Sequence, residues 1–310
     1  MTNIAIASGK GGTGKTTVAT NLAWVAARRG RDVAYLDCDV EEPNGQLFLR
    51  PEIDDDRPIE KLAPVVDASL CTHCGACARI CRYGAIASLP GQTLVFTELC
   101  HACGGCALVC PTGAIREQPR PIGRLRRGRA GPIRFVEGVL DVGEAMSPPA
   151  IRAVKAAVPP TDLALHDAPP GASCPVVETV RGCDFVLLVT EPTPFGLHDL
   201  MLAVEMVRAV RIAMGVVVNR MGVGGTAVHE YCAGRQVPVL AELPDDRAVA
   251  EAYSRGEMIA EAVPGFAERF GRLLDRLDAL CPTGPEKNEI KPAQSSARAR
   301  EGGPSRPGAW

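Results

Sequence analysis

The chain has 310 residues, of which 46% are hydrophobic and 23% are charged, and its formal net charge is −2. This length suits one large domain or two smaller ones, and the near-neutral charge gives no electrostatic reason to expect nonspecific binding to nucleic acid or to an anionic membrane. No apolar run approaches the roughly 20 residues that span a bilayer, and the first ten residues lack signal-peptide features. We therefore expect a cytoplasmic protein without membrane contact, whose partners are determined by local sites.

The first forty residues have the pattern of a β-α-β unit. An apolar strand is predicted at residues 3–8, a helix at 15–29 and a second strand at 32–36, with a glycine-rich turn after the first strand. The turn carries two glycines separated by four residues and followed by Lys15 and Thr16, which is the spacing of a P-loop. Backbone N–H groups in such a loop surround phosphates, while the lysine reaches the β- and γ-oxygens and the threonine ligates Mg²⁺. The predicted nucleotide-binding residues are Gly9, Lys10, Gly11, Gly12, Thr13, Gly14, Lys15, Thr16 and Thr17.

Eight of the thirteen cysteines lie between residues 71 and 110. A reducing compartment disfavours disulfides, so metal binding is the leading explanation for them. They form two runs, each with gaps of two, two and three residues: Cys71, Cys74, Cys77 and Cys81, then Cys100, Cys103, Cys106 and Cys110. This is the spacing of bacterial ferredoxins with two [4Fe–4S] clusters, in which the fourth cysteine of each run reaches the other cluster.

The ferredoxin spacing predicts two mixed ligand sets. The first set is Cys71, Cys74, Cys77 and Cys110, and the second set is Cys81, Cys100, Cys103 and Cys106. Zinc is the competing metal, but zinc sites typically use two separated cysteine pairs. Arg82 replaces the usual proline after the first run, which leaves ligation intact.

The α/β pattern stops at about residue 41 and resumes after about residue 131. Strands are predicted at 163–166, 185–190, 215–219 and 237–240, with helices between them, which indicates a mostly parallel sheet covered on both faces. We predict an ATPase domain in two parts, 1–60 and 119–281, interrupted by an α+β ferredoxin-like insertion at 61–118. Residues 282–310 have no apolar periodicity and are expected to form a disordered tail.

Lys10 adds a feature that ordinary P-loops lack. With it, the sequence resembles the deviant Walker A family that includes MinD, the ParA partition ATPases, the Mrp-type cluster carriers and the nitrogenase iron protein. The resemblance extends over about residues 1–280, where the order of P-loop, eight-cysteine insertion, Asp167 loop and the run from Val189 to Gly196 is similar to the MinD-superfamily P-loop ATPases that contain an inserted two-cluster ferredoxin domain. It implies an ATP-dependent homodimer in which Lys10 reaches the nucleotide of the facing subunit.

The same resemblance assigns roles to three residues near strand ends. Asp39 would orient or activate the attacking water, Asp167 would hold Mg²⁺ through water together with Thr16, and Asn219 would read the adenine edge. Lys10, Lys15, Asp39 and Asp167 are thus the predicted catalytic residues. The loop after Asp167 would sense the γ-phosphate.

Two functional hypotheses remain open at this point. The first is an ATPase whose switch movements are coupled to electron transfer through two [4Fe–4S] clusters. The second is an ATP-dependent factor in iron–sulfur or metallocofactor assembly, although the chain lacks the Cys-x2-Cys pair of Mrp-type carriers in its second half. A binding module with structural clusters is a third, weaker alternative. The redox or apo-protein partner is not identified by any residue.

Arginine is frequent between residues 116 and 134. No aromatic residues accompany these charges in the manner of single-stranded nucleic-acid sites, so nucleic acid is disfavoured as a partner and a solvated or partner-facing strand is expected.

Overall fold

The computed structural model describes residues 1–158, 160–222 and 224–281. These residues contain a nine-stranded sheet in the order β11-β10-β9-β1-β8-β2-β7-β6-β3 and a separate two-stranded hairpin, β4-β5. The strands are β1 (Thr2–Ala7), β2 (Val33–Asp37), β3 (Glu52–Val66), β4 (Ile86–Leu89), β5 (Gln92–Val95), β6 (Ile115–Ala130), β7 (Ile133–Leu140), β8 (Leu163–Asp167), β9 (Phe185–Thr190), β10 (Ala213–Met221) and β11 (Val239–Pro244).

Seven of these strands, β11 to β7 in sheet order, are parallel, whereas β6 and β3 are antiparallel to their neighbours. The helices are α1 (Lys15–Arg28), α2 (Gln46–Leu49), α3 (Ala76–Ile80), α4 (Gly105–Leu108), α5 (Pro148–Ala156), α6 (Cys174–Val180), α7 (Pro194–Val210), α8 (Ala227–Gly234), α9 (Arg247–Ser254), α10 (Ile259–Ala262) and α11 (Phe266–Leu280). Within the same described ranges, no helix is long and apolar enough to cross a bilayer.

The core lies on both faces of the parallel strands. In β1, Ile4 and Ile6 pack into a cluster with α1 and α11, while Ala5 and Ala7 pack on the opposite face with α6 and α7. This alternation follows from the two-residue period of a strand, and it requires apolar residues at consecutive positions when helices cover both faces. The predicted α/β fold with a mostly parallel sheet is confirmed.

The first two strands and the first helix begin and end within one residue of their predicted bounds. The interval between residues 41 and 131 differs from the prediction, because β3 and β6 lie inside it and add two antiparallel strands to the main sheet. Prolines and charged residues interrupt the apolar alternation by which a strand is recognised, so the sequence pattern does not predict β3 and β6. Their charges pair across the strands instead, as in Arg127 with Asp55 and Arg124 with Asp56.

We call β3 and β6 together the ribbon. Its near part, where β6 also pairs with β7, belongs to the main sheet, and its far part extends past the last β7 pair, Gly123 with Leu140. Residues 67–114, which hold all eight clustered cysteines, lie between the two strands of the ribbon at its far end. The boundaries proposed from sequence, 60/61 and 118/119, fall within β3 and β6. The predicted tail at 282–310 lies outside the described residues.

Candidate functional site: a P-loop and two cysteine-lined cavities

The P-loop joins β1 to α1, at the carboxyl edge of the sheet. Gly12 and Gly14 have positive φ angles of 78° and 95°, a conformation that side chains disfavour. A Cβ on Gly9 would lie 2.2 Å from the carbonyl oxygen of Asp199 in α7, so a glycine is also required there by close packing. The glycine-rich turn therefore leads directly into the N-terminus of α1, an arrangement that suits a phosphate.

The predicted carboxylates converge on this loop. Strands β2 and β8 place Asp37 and Asp167 side by side in register. Burial raises the pKa of Asp167, although the neighbouring Lys15, Thr16 and Tyr35 side chains oppose that shift. Tyr35 donates a 2.8 Å hydrogen bond to Oδ2 of Asp167, whereas the buried Oδ1 has no hydrogen-bond partner among the described residues. An unpaired buried acceptor beside Lys15 and Thr16 suits a hydrated divalent cation such as Mg²⁺.

Asp39 lies in the same group of charges. Burial raises its pKa to about 7, and the nearby Asp167, Glu41 and Glu42 add to that effect, whereas Lys15 opposes it. A carboxyl group with this pKa can take up or release a proton near neutral pH.

Asp37, which we did not select from the sequence, has a structural role. It accepts hydrogen bonds from the backbone N–H groups of Asn44 (3.1 Å) and Gly45 (2.9 Å), and it thereby fixes the turn after Asp39. The sequence offers two carboxylates, Asp37 and Asp39, at one strand end, and only their backbone contacts distinguish them.

Lys10 and Asn219 lie on the other side of the loop. The Asn219 side-chain amide donates to the carbonyl of Thr13 at 2.8 Å, so it supports the P-loop directly. Lys10 Nζ lies 3.8 Å from Glu191 Oε2, and Arg220 binds the other oxygen of Glu191 at 2.7 Å. Glu191 was not predicted as a site residue. Its position was the available signal, because it directly follows β9, while Asp39 lies just after β2 and Asp167 ends β8.

The eight clustered cysteines line two cavities in the segment between the strands of the ribbon, residues 67–114. The first cavity is lined by Cys71, Cys74, Cys77 and Cys110 together with Val66, Thr93 and Ile115. The second is lined by Cys81, Cys100, Cys103 and Cys106 together with Tyr83, His101 and Glu117. Each cavity thus gathers the three close cysteines of one run and the fourth cysteine of the other.

The two cysteine loops repeat one backbone conformation. When the first cysteine of each run is counted as the first residue, the third and fifth residues have positive φ angles. These are 56° at His73 and 72° at Gly75, then 51° at Ala102 and 72° at Gly104. Non-glycine residues rarely adopt this conformation, and its recurrence at His73 and Ala102 indicates a functional role for both loops. The three close cysteines of each run line one cavity.

Among the described residues, no group of three or more His, Cys, Asp or Glu side chains is close enough to hold a single metal ion. Four thiols around a cavity suit a larger group, because a cubane places iron and sulfide between its thiolate ligands. The four thiols around each cavity are the ligand type and number that a [4Fe–4S] cluster takes.

Comparisons with known proteins place these sites in context. The model of the CobQ/CobB/MinD/ParA nucleotide binding domain matches residues 4–259. An uncharacterized protein of Methanocaldococcus jannaschii is 35% identical over 227 residues, which are 71% of this chain and 78% of that protein. The iron-sulfur cluster carrier protein of Pseudomonas fragi is 47% identical, but over only 66 residues, 18% of this chain and 23% of that protein.

Among solved structures, the septum site-determining protein MinD of Pyrococcus horikoshii, complexed with Mg-ADP, has a similar fold. It superposes with a TM-score of 0.56 and 22% sequence identity, and the match covers 91% of this chain and 97% of that chain. Identity this low establishes the shared fold and carries no residue roles by itself.

Proposed function

The chain belongs to the CobQ/CobB/MinD/ParA nucleotide-binding domain family, and from that premise we propose that it is an ATPase whose nucleotide cycle controls electron transfer through two [4Fe–4S] clusters. The observation that carries the proposal is the sorting of the eight cysteines into two four-cysteine cavities. The ribbon joins that segment to the nucleotide-binding sheet by strand pairing, with register shifts at Ile53/Asp55 and Ile59/Glu60.

The residues of the P-loop would bind and orient the nucleotide. Backbone N–H groups of residues 9–17 and Lys15 would hold the phosphates, and Thr16 and Asp167 would hold hydrated Mg²⁺, which neutralises phosphate charge. Asp39 would orient the attacking water and accept its proton, for which a pKa of about 7 is suited. Lys10, now beside Glu191 of its own chain, would leave that carboxylate for the nucleotide of a second subunit.

The cysteines would supply four thiolates to each cluster. Cys71, Cys74, Cys77 and Cys110 would hold one, and Cys81, Cys100, Cys103 and Cys106 the other. A [4Fe–4S] cluster supplies one-electron transfer when bound. Cys77 and Cys100 are buried, whereas Cys74 and Cys103 are exposed, so each cavity has one side facing solvent, from which a redox partner would approach.

A second candidate function is iron–sulfur or metallocofactor assembly, with the cluster as cargo. The partial similarity to iron-sulfur cluster carrier proteins favours it. Eight cysteines divided into two complete sets favour clusters that stay bound, so we place electron transfer first.

A reductive titration of anaerobically purified protein, followed by EPR with and without Mg-ATP, distinguishes the two functions. We expect two reversibly reducible clusters and a potential or spectrum that changes with Mg-ATP, and no such change in Lys15→Ala. Iron that becomes chelatable with Mg-ATP, at unchanged potentials, would instead establish the assembly function.

A further inference from the structure

Four charged side chains meet where the ribbon leaves the main sheet. Lys61 of β3 lies directly opposite Arg120 of β6 in the strand register. Glu144, from the loop between β7 and α5, binds Lys61 with one carboxylate oxygen and Arg120 with the other. Glu98 lies 3.6 Å from Arg120 and balances the remaining charge.

Lys61 and Glu144 are almost completely buried, with 1% and 2% of their side chains exposed. Lys61 and Arg120 are cations opposite each other on a sheet, so they repel. Removing the Lys61–Glu144 ion pair from water is also costly, so a gain in stability is a weak explanation for burying it. A specific positional role is the alternative explanation.

One end of this cluster contacts the second cysteine set. Lys61 Nζ donates a 2.9 Å hydrogen bond to the carbonyl oxygen of Cys100. Glu98, which binds Arg120, lies two residues before that cysteine. Among the described residues, no hydrogen bond or ion pair connects the cysteines of the first set to residues 131–281 in the same way.

The other end leads toward the nucleotide site. The Glu144 loop is fixed by backbone hydrogen bonds from Leu140 to Val40 and from Asp141 to Ile122, and it continues into α5. Lys155 of α5 donates to the carbonyls of Glu178, Thr179 and Arg181, at the end of α6. Helix α6 begins at Cys174, shortly after the loop that follows Asp167.

We propose that Lys61 and Glu144 are positioning residues that hold the Cys100 loop against the nucleotide-binding domain, so that the cluster in the second cavity, and not the one in the first, responds to nucleotide. This inference rests on the proposed function for the presence of the clusters and for their response to ATP. The contacts themselves are independent of it.

The charges of Lys61 and Glu144 should affect the reduction potential of the second cluster, which a merely structural role would not do. A positive charge near a cluster stabilises its reduced, more negative form, and a negative charge does the opposite. Lys61→Met leaves Glu144 less compensated and should lower the potential of the second cluster. Glu144→Gln leaves Lys61 and Arg120 less compensated and should raise it.

The test uses the full-length protein with both clusters, titrated with dithionite and followed by EPR, with and without Mg-ATP. Signals are assigned with Cys71→Ser and Cys103→Ser, which each remove a ligand of one set. The matched control is Arg124→Gln, because Arg124 pairs with Asp56 on the same ribbon but both side chains are exposed, at 46% and 41%.

A double variant, Lys61→Met with Glu144→Leu, addresses the possibility that a single variant fails to fold, since replacing both partners of a buried pair is better tolerated than removing one. We expect its second-cluster potential to stay near the wild-type value while its response to Mg-ATP is lost. Hydrogen exchange in the iron-free protein should show lost protection of residues 98–103 in both single variants and not in Arg124→Gln.

Opposite potential shifts in the two single variants, confined to the second cluster, support the proposal. Shifts in the same direction, shifts equal to those of Arg124→Gln, or an intact nucleotide response in the double variant overturn it. If neither wild-type cluster responds to Mg-ATP, the proposed function fails, while lost protection of residues 98–103 in the single variants, and not in Arg124→Gln, would still establish the positioning role of Lys61 and Glu144.

Discussion

Two lysines of the P-loop differ in what they contact. Lys15 is buried beside Asp39 and Asp167, whereas Lys10 keeps 35% of its side chain exposed and pairs with Glu191. The proposed function gives them different roles, the first within its own subunit and the second across a dimer.

Lys15→Ala should abolish ATP binding, because the loop then lacks its cation for the β- and γ-phosphates. Lys10→Ala should leave binding within a few-fold of wild type and lower hydrolysis by about 100-fold, since it removes one charge from the transition state only after dimerisation. Binding of a fluorescent ATP analogue, phosphate release and light scattering check these outcomes. Equal loss of binding in both variants would contradict the assignment of Lys10.

The raised pKa of Asp39 predicts that the stability of the nucleotide-free protein depends on pH. Its pKa is 3.8 ordinarily and about 7 in the folded chain, so the folded state binds the proton more tightly than the unfolded state. Stability is then lost as pH rises from about 4 to 7 and stays low above that range. Asp39→Asn should raise the free energy of unfolding by about 2 kcal/mol at pH 8 and by little at pH 4.

Chemical denaturation in the presence of EDTA measures this effect. The control is Glu42→Gln, an exposed carboxylate near the same turn, which should change stability by less than about 0.5 kcal/mol at either pH. A gain for Asp39→Asn that is equal at both pH values would show that its carboxyl group has an ordinary pKa.

At the scale of elements, helix α6 depends on a lysine from its neighbour. The last carbonyls of a helix lack partners within it, and Lys155 of α5 satisfies three near the end of α6. Lys155→Met should therefore lower the free energy of unfolding by about 1–3 kcal/mol.

Arg152→Met provides the comparison for Lys155→Met. Arg152 lies on the same helix and reaches Glu178 of α6, but its side chain is 57% exposed. An exposed ion pair contributes about 0.2–1 kcal/mol, so the loss should be much smaller. Equal losses, measured by urea denaturation, would contradict the capping role of Lys155.

The elements also show where the sequence is informative. The P-loop, the parallel strands and the grouping of the cysteines follow from local patterns, such as consecutive apolar residues in β1 and fixed spacing in the cysteine runs. The ribbon does not, because β3 and β6 are stabilised by pairing charges between distant residues, such as Asp55 and Arg127. Several arginines of the 116–134 stretch have acidic partners within the chain, on β3, on β7 and elsewhere.

Residues whose roles depend on three-dimensional neighbours were equally hidden. Tyr35 and Glu144 have no motif around them, and the run that contains Glu191 does not indicate its partners. Tyr35 contacts Asp167 at a separation of 132 positions, Glu144 contacts Lys61 at 83, and Glu191 contacts Arg220 at 29. A sequence without an alignment cannot reveal such pairs.

At the scale of the whole molecule, the crossed arrangement of the cysteines predicts which cluster each one holds. Cys110 follows the second run but lines the first cavity, and Cys81 follows the first run but lines the second. Cys110→Ser should therefore weaken the cluster that Cys71→Ser also weakens, and Cys81→Ser the one that Cys103→Ser weakens. Iron content and EPR of the four variants check this pairing, and matching spectra for Cys110→Ser and Cys103→Ser would contradict it.

The central claim is that nucleotide controls electron transfer, and one rate tests it most directly. The protein is reduced with dithionite, freed of excess reductant and mixed in a stopped-flow instrument with an oxidised one-electron dye, with and without Mg-ATP. We predict that Mg-ATP changes the rate of cluster reoxidation by several-fold in the wild type and leaves it unchanged in Lys15→Ala. Identical rates with and without Mg-ATP, in protein that binds ATP and retains both clusters, would contradict the account.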